Sequence, residues 1–209
     1  MRRVEAVRKF RLKSKSAPTR KLAATPTRFH VENMPSGNFL LIPKVSSERR
    51  RFIPMGFMKP DVIVSDLVFI LPKASLFHFG VLSSTMHMAW VRHVAGRLES
   101  RYRYSAKLVY NNYPWPASPT DKQRLAVETA AQDVLDTRSQ YPQACLADLY
   151  NPVSMPAPLA KAHAKLDRAV DRCYRSQKFE SERKRVEYLF DRYQQLVQPL
   201  LPKQKRRRG

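Results

Sequence analysis

At Asn111-Asn112-Tyr113-Pro114-Trp115-Pro116 the chain changes character. The two prolines lack backbone donors and fix φ, so neither a strand nor a helix runs through them undisturbed. Upstream, apolar residues come in short runs bounded by Pro, Asp or Ser: Phe39–Ile42, Phe52–Met55, Val62–Val64 and Val68–Leu71. Such runs predict strands. Downstream, Leu159, His163, Leu166, Val170 and Cys173 recur at helical spacing, as do Val186, Leu189, Phe190, Tyr193, Val197 and Leu200. These stripes predict two helices that pack on each other or fold back on the first region. The expected class is therefore α+β. It comprises a small mixed sheet with a buried helix over residues 1–117, an all-helical region over 118–201 and a basic tail at 202–209.

Ser75 is placed to cap a helix running from Leu76 toward Arg97, with Phe79, Leu82, Met86, Trp90, Val91 and Val94 on its core face. Tyr102, Tyr104 and Leu108–Tyr110 follow as an extended stretch. Beyond the prolines, Ser118 reads as a cap, Pro119 as the first helical residue and Asp121 as an acid in the first turn of a helix reaching Arg138. At the other end, Arg3, Arg8, Lys9, Arg11 and Lys13 line a basic helix that Pro18 and Pro26 interrupt.

Charge narrows the partners. The chain of 209 residues carries a net charge of +22. Residues 1–117 hold 21 Lys and Arg against 6 Asp and Glu, residues 118–201 hold 13 against 11, and the last eight residues add five cations. A field of this sign and size favours nucleic acid, whose counterions it displaces. Other chemistries find little support. Five glycines against sixteen prolines leave no Gly-x-Gly-x-x-Gly or phosphate-binding loop. His30, His78, His87, His93 and His163 are scattered, and Cys145 and Cys173 are far apart, so neither a metal set nor a disulfide framework is expected. No apolar run is long enough to span a bilayer and no secretory leader is visible, which makes a cytoplasmic protein without a membrane partner the expectation. Asn151-Pro152-Val153 lacks the aromatic on which a flipped base would stack, so it reads as a turn.

Two clusters qualify as nucleic-acid contacts. In Glu99-Ser100-Arg101-Tyr102-Arg103 an extended backbone sends Glu99, Arg101 and Arg103 to one side and Ser100 and Tyr102 to the other. Glu accepts from cytosine N4 and Arg forks onto guanine O6 and N7, so these three are the candidate base readers. Lys44, Ser46, Arg49, Arg50 and Arg51 are the candidate phosphate contacts, because three successive arginines cannot all pair with Glu48. A solvated surface, with Glu99 and Arg101 paired internally, is the competing reading. Tyr113 and Trp115 are expected to anchor the junction rather than stack on a base.

The residues also resemble a family. Lys44 through Phe57, Gly80 through Arg92 continuing into Gly96-Arg97-Leu98, and Tyr110 through Pro116 are similar to the target-recognition region of MmeI-like adenine-specific DNA methyltransferases of restriction-modification systems. Leu149-Tyr150-Asn151-Pro152 and Leu166 through Asp171 look like that family's helical C-terminal region. The resemblance implies sequence-specific binding of double-stranded DNA, with Glu99, Arg101 and Arg103 at the reading positions. It also implies a methyltransferase catalytic domain or subunit as partner, holding the S-adenosylmethionine and flipping the adenine. No catalytic or cofactor-binding residue is then expected in this chain. A basic RNA- or ribosome-associated protein is the alternative that charge alone leaves open.

Overall fold

The computed structural model describes residues 2–30, 32 and 34–198. The expected tail at 202–209, and Leu200 of the last apolar stripe, lie outside them. The chain forms two compact units, Met1–Ser36 and Gly37 onward.

The first unit is helical. Helix α1 (Arg2–Leu12) is followed by α2 (Ala17–Lys21) and a 3-10 turn at Leu22–Ala24. No residue of α1 is buried and, among the described residues of this unit, Ala23 alone is, so little apolar packing holds it in shape. Hydrogen bonds from arginines do much of that work. The Arg11 guanidinium donates to the carbonyls of Leu22 (2.9 Å), Thr25 (2.8 Å) and Arg28 (2.7 Å), and Arg20 donates to those of Ser14 and Lys15. These carbonyls belong to the turns around the short helices, and those of Leu22 and Thr25 also accept the backbone N–H groups of Thr25 and Arg28.

The second unit is α+β. Its strands form two antiparallel sheets rather than one mixed sheet. Strand β1 (Phe39–Pro43) lies between β3 (Gly56–Met58) and β4 (Val68–Pro72). In the other sheet β6 (Arg101–Arg103) lies between β2 (Val45–Ser46) and β5 (Gly96–Leu98). Lys44 alone separates β1 from β2. Its N–H donates to Leu67 (2.9 Å) and its carbonyl accepts from Tyr104 (2.8 Å), so one residue joins the two sheets.

Four local expectations are corrected. The long buried helix is two helices, α3 (Leu76–Leu82) and α4 (Thr85–Val94). The apolar face continues across the break, but Ser84 turns its hydroxyl onto the His87 N–H and caps a new helix. Phe52–Met55 is buried without joining a sheet, and Val62–Val64 forms no strand. The stretch after Tyr104 is a π-helical turn, Ala106–Tyr110, capped by Ser105 and held by Trp90, whose Nε1 donates to the Val109 carbonyl (3.0 Å). Helix α5 (Asp121–Ser139) is capped by Thr120 in a capping box with Gln123, two residues later than Ser118. Ser75 does cap α3, with His78 returning the bond from its ring.

After α5 come α6 (Leu146–Leu149), α7 (Ala157–Tyr174) and α8 (Glu182–Val197). The main packing partner of α7 is α5, and that of α8 is α4; α7 and α8 meet through the Arg185–Asp171 ion pair at 2.6 Å and through Tyr188, whose hydroxyl donates to the Tyr174 carbonyl (2.8 Å). The core runs through both halves without a seam. Phe52 stacks on His163 with ring centroids 4.0 Å apart, and Trp90 packs on Phe190 and Tyr193. Gly80 lies so close to α5 that a Cβ there would come within 2.7 Å of Val127. At the junction Tyr113 is buried and accepts a hydrogen bond from the Tyr174 hydroxyl (2.7 Å), so it anchors the turn as expected.

Across that shared core lies a buried cation. Arg138 donates to the Met55 carbonyl (2.7 Å) and through Nε and Nη2 to the Tyr150 hydroxyl (2.8 Å for Nε). The Tyr150 oxygen in turn lies 2.6 Å from His163 Nε2. Among the described residues no carboxylate pairs with Arg138. The rings of Phe79 and Tyr150, 5.0 and 4.8 Å from the guanidinium carbon, supply the remaining stabilisation. Burial pushes His163 down to about 3, with Arg138 adding to the effect, so the imidazole is neutral and suits this cationic surrounding.

Candidate nucleic-acid interface

The pairing of β2 with β6 brings the two candidate clusters together. Val45 lies opposite Arg103 and Ser46 opposite Tyr102, so the turn at Ser47–Arg50 emerges beside the β5–β6 hairpin. In that hairpin Leu98 faces Arg101 and Gly96 faces Arg103.

The pleat then divides the residues. Tyr102 is buried, while Arg101 and Arg103 on either side of it are exposed. Side chains opposite one another share a face, so Arg101, Arg103, Leu98 and Val45 lie on the outer face and Tyr102, Ser46 and Arg97 on the inner one. The expectation for Arg101 and Arg103 therefore stands as to position. Ser46 departs from it: at 3% exposure it sits on the core side with Tyr102 and presents no hydroxyl to a phosphate at the surface.

Glu99 also differs from the extended reading. It occupies the two-residue turn between β5 and β6 with φ of 56°, a left-handed conformation that favours glycine. Its carboxylate accepts from Arg101 Nη2 at 2.7 Å, so the internal ion pair weighed from the sequence is present in the structure. Both partners are substantially exposed, at 76% and 44%. A pair this open to water is weak, and either partner can exchange the other for an external ligand.

The cations of the turn are unequal. Arg49 is 84% exposed and reaches Glu48 only at 4.0 Å. Arg50 is half-buried, and among the described residues it has no carboxylate within salt-bridge distance. Arg51 leans over the Phe52 ring and lies 3.7 Å from Asp167, and Lys44 lies over the Phe69 ring at 5.0 Å. Asp167 receives the Thr85 N–H (2.7 Å) at the start of α4; burial raises it to about 6 despite that bond and the nearby Arg51.

Arg97 belongs to the same surface and was not singled out from the sequence. Its guanidinium lies 4.2 Å from the Tyr102 ring centroid and donates to the Ser100 and Arg92 carbonyls, which braces the hairpin from beneath. The signal was its alternation with Arg101 and Arg103 across an unrecognised turn. His87, by contrast, belongs to the core. It is fully buried, 3.0 Å from the Tyr104 hydroxyl, and burial pushes it down to about 3.

The arrangement is that of a basic recognition module. A two-stranded ribbon carries outward arginines beside a cationic turn, all mounted on a rigid helical core. Residues 1–117 match the family model of the MmeI target recognition domain, and residues 119–201 that of the MmeI C-terminal domain. The chain belongs to the MmeI family, of which it holds these two domains. It is 41% identical over 196 residues to DNA methyltransferase A of Bacillus subtilis (strain 168), covering 94% of this chain and 22% of that protein. It also matches the type IIL restriction-modification enzyme MmeI, whose structure was solved in complex with DNA. There the TM-score is 0.85 and the identity 49%, over 94% of this chain and 26% of the other. The chain thus spans about a quarter or less of these relatives. The family boundary at residues 117–119 marks a change of sequence module, not a gap in packing, since one core underlies both.

Proposed function

We propose that this chain is the target-recognition part of a restriction-modification adenine DNA methyltransferase and reads duplex DNA through the β5–β6 hairpin. The observation that carries the proposal is the outward pair Arg101 and Arg103, set by the β2–β6 pairing beside Arg49 and Arg50. In this reading Arg101 and Arg103 fork onto guanines, Glu99 accepts from a cytosine, and Lys44, Arg49, Arg50 and Arg51 hold phosphates. The Glu99–Arg101 pair is exposed and weak enough for bases to replace it. Similarity to an enzyme solved with DNA supports duplex DNA over RNA. No helix among the described residues is long and apolar enough to cross a membrane.

The described residues offer S-adenosylmethionine no glycine-rich loop. Gly37, Gly56, Gly80 and Gly96 lie apart and none has positive φ, so they build no cofactor loop. The space at Gly80 is taken by Val127 and Leu166. Cofactor binding and methyl transfer are accordingly assigned to a methyltransferase domain or subunit acting with this chain. Calorimetry of the full chain with S-adenosylmethionine is expected to give no saturable heat; stoichiometric binding would refute this assignment.

The recognition claim is tested by selecting the preferred duplex from a random pool and titrating salt on matched and mismatched versions. Arg101→Ala and Arg103→Ala are each expected to lose about 1–3 kcal/mol of discrimination and little non-specific affinity. Glu99→Gln is expected to relax specificity at one position. Arg50→Ala is expected to weaken binding to all duplexes and to lower the salt slope by about one. An unchanged matched-to-mismatched ratio in all three hairpin variants would place the reading element elsewhere.

A further inference from the structure

We infer that the outer groove between α5 and α7 is a second binding track for the phosphate backbone of duplex DNA, independent of the hairpin. The inference rests on the DNA-binding reading above. The groove encloses about 530 Å³ and is rimmed by Lys165, Arg168 and Arg172 of α7 and Lys122 of α5, over a floor that includes Ala126 and Ala130. Small floor residues leave the cations standing proud of it.

The α7 cations form a row. With Lys161 they occupy positions i, i+4, i+7 and i+11, so they share one helix face and span about 16 Å. Over that length one DNA strand presents about five phosphates along its axis. All four are exposed. Among the described residues only Lys165 meets a carboxylate, Asp133 at 3.6 Å, in an exposed and therefore weak pair. The two acids of α7 nearest the row are already engaged: Asp167 accepts from the Thr85 N–H, and Asp171 pairs with Arg185. The row also adjoins the first interface, because Arg51 reaches Asp167, the residue before Arg168. A row of exposed cations, of which only Lys165 meets a carboxylate, is suited to hold the phosphate backbone rather than to read base edges.

The test is the salt dependence of binding by the full chain. The triple variant Lys165→Gln, Arg168→Gln, Arg172→Gln is expected to lower the slope of log K against log salt by about two to three. It should leave the matched-to-mismatched ratio unchanged, whereas the hairpin variants should shift that ratio. Arg172→Gln alone, expected to lower the slope by about one, preserves the test if the triple variant unfolds. An unchanged slope while the hairpin variants still alter specificity overturns the groove assignment and spares the functional reading. Loss of binding to poly-glutamate with an unchanged DNA slope assigns the groove to an acidic protein and overturns it too. Failure of the unaltered chain to bind duplex DNA overturns both readings.

Discussion

A polypeptide ending at Ala117 is expected not to fold cooperatively, although it contains every strand found among the described residues. The cut removes His163 from beneath Phe52, Phe190 and Tyr193 from Trp90, and Arg138 from Phe79. Phe52, Phe79 and Trp90 are among the largest fully buried side chains. Burial of each contributes about 1.5–3 kcal/mol. Exposing three of them, together with the α3 surface that α5 covers, consumes most of the roughly 5–15 kcal/mol that stabilises a domain. The two three-stranded sheets share only a few residues of pairing with their neighbours and cannot compensate. The measurement is thermal unfolding by circular dichroism with amide dispersion by NMR. A cooperative melt and dispersed spectrum for residues 1–117 would show that the recognition module is autonomous after all.

Tyr150→Phe is expected to cost about 2–3 kcal/mol, above the usual effect of deleting one hydroxyl, because that hydroxyl accepts from a charged group. The Tyr150 oxygen is the common partner of Arg138 Nε, Arg138 Nη2 and His163 Nε2. Its removal leaves the buried guanidinium with the Met55 carbonyl as its hydrogen-bond acceptor and, among the described residues, no carboxylate. Tyr150 and His163 share the cluster, so their effects should be strongly non-additive in a double-mutant cycle. Urea unfolding of Tyr150→Phe, His163→Phe and the double variant measures this. A cost for Tyr150→Phe near 1 kcal/mol would mean that Arg138 reaches water or another acceptor.

Much of this architecture was legible in the sequence because its signals are local. The Ser75 cap, the α7 and α8 stripes and the alternation of Arg101, Tyr102 and Arg103 depend on residues within a few positions of each other. What was missed depends on distant partners. Ser83 and Ser84 sit in an unbroken apolar pattern, and the start of a second helix is marked by the Ser84 cap together with the Asp167 carboxylate that accepts from Thr85. The run at Phe52–Met55 is apolar because it is buried under α5 and α7, and burial alone does not distinguish a strand from an irregular segment. Ser46 looked like a phosphate ligand until its register with Tyr102 fixed which way it faces. Glu99 was read as extended because a left-handed turn residue other than glycine carries little sequence signal. The α7 cations were present in the sequence, but their near-balance with acids in the same region hid that the acids face other partners.

The alternation of burial along β6 has a consequence for how such a protein changes over generations. Tyr102 ties the ribbon to the core, while Arg101 and Arg103 touch little that the fold depends on. Replacements at these two positions should be nearly free of stability penalties, since exposed sites away from caps and networks seldom matter by more than about 0.5 kcal/mol. On the proposed reading of bases by these two arginines, preference for a different base can therefore arise by single steps through folded intermediates. A lineage can drift from one target to another without first acquiring a stabilising change elsewhere.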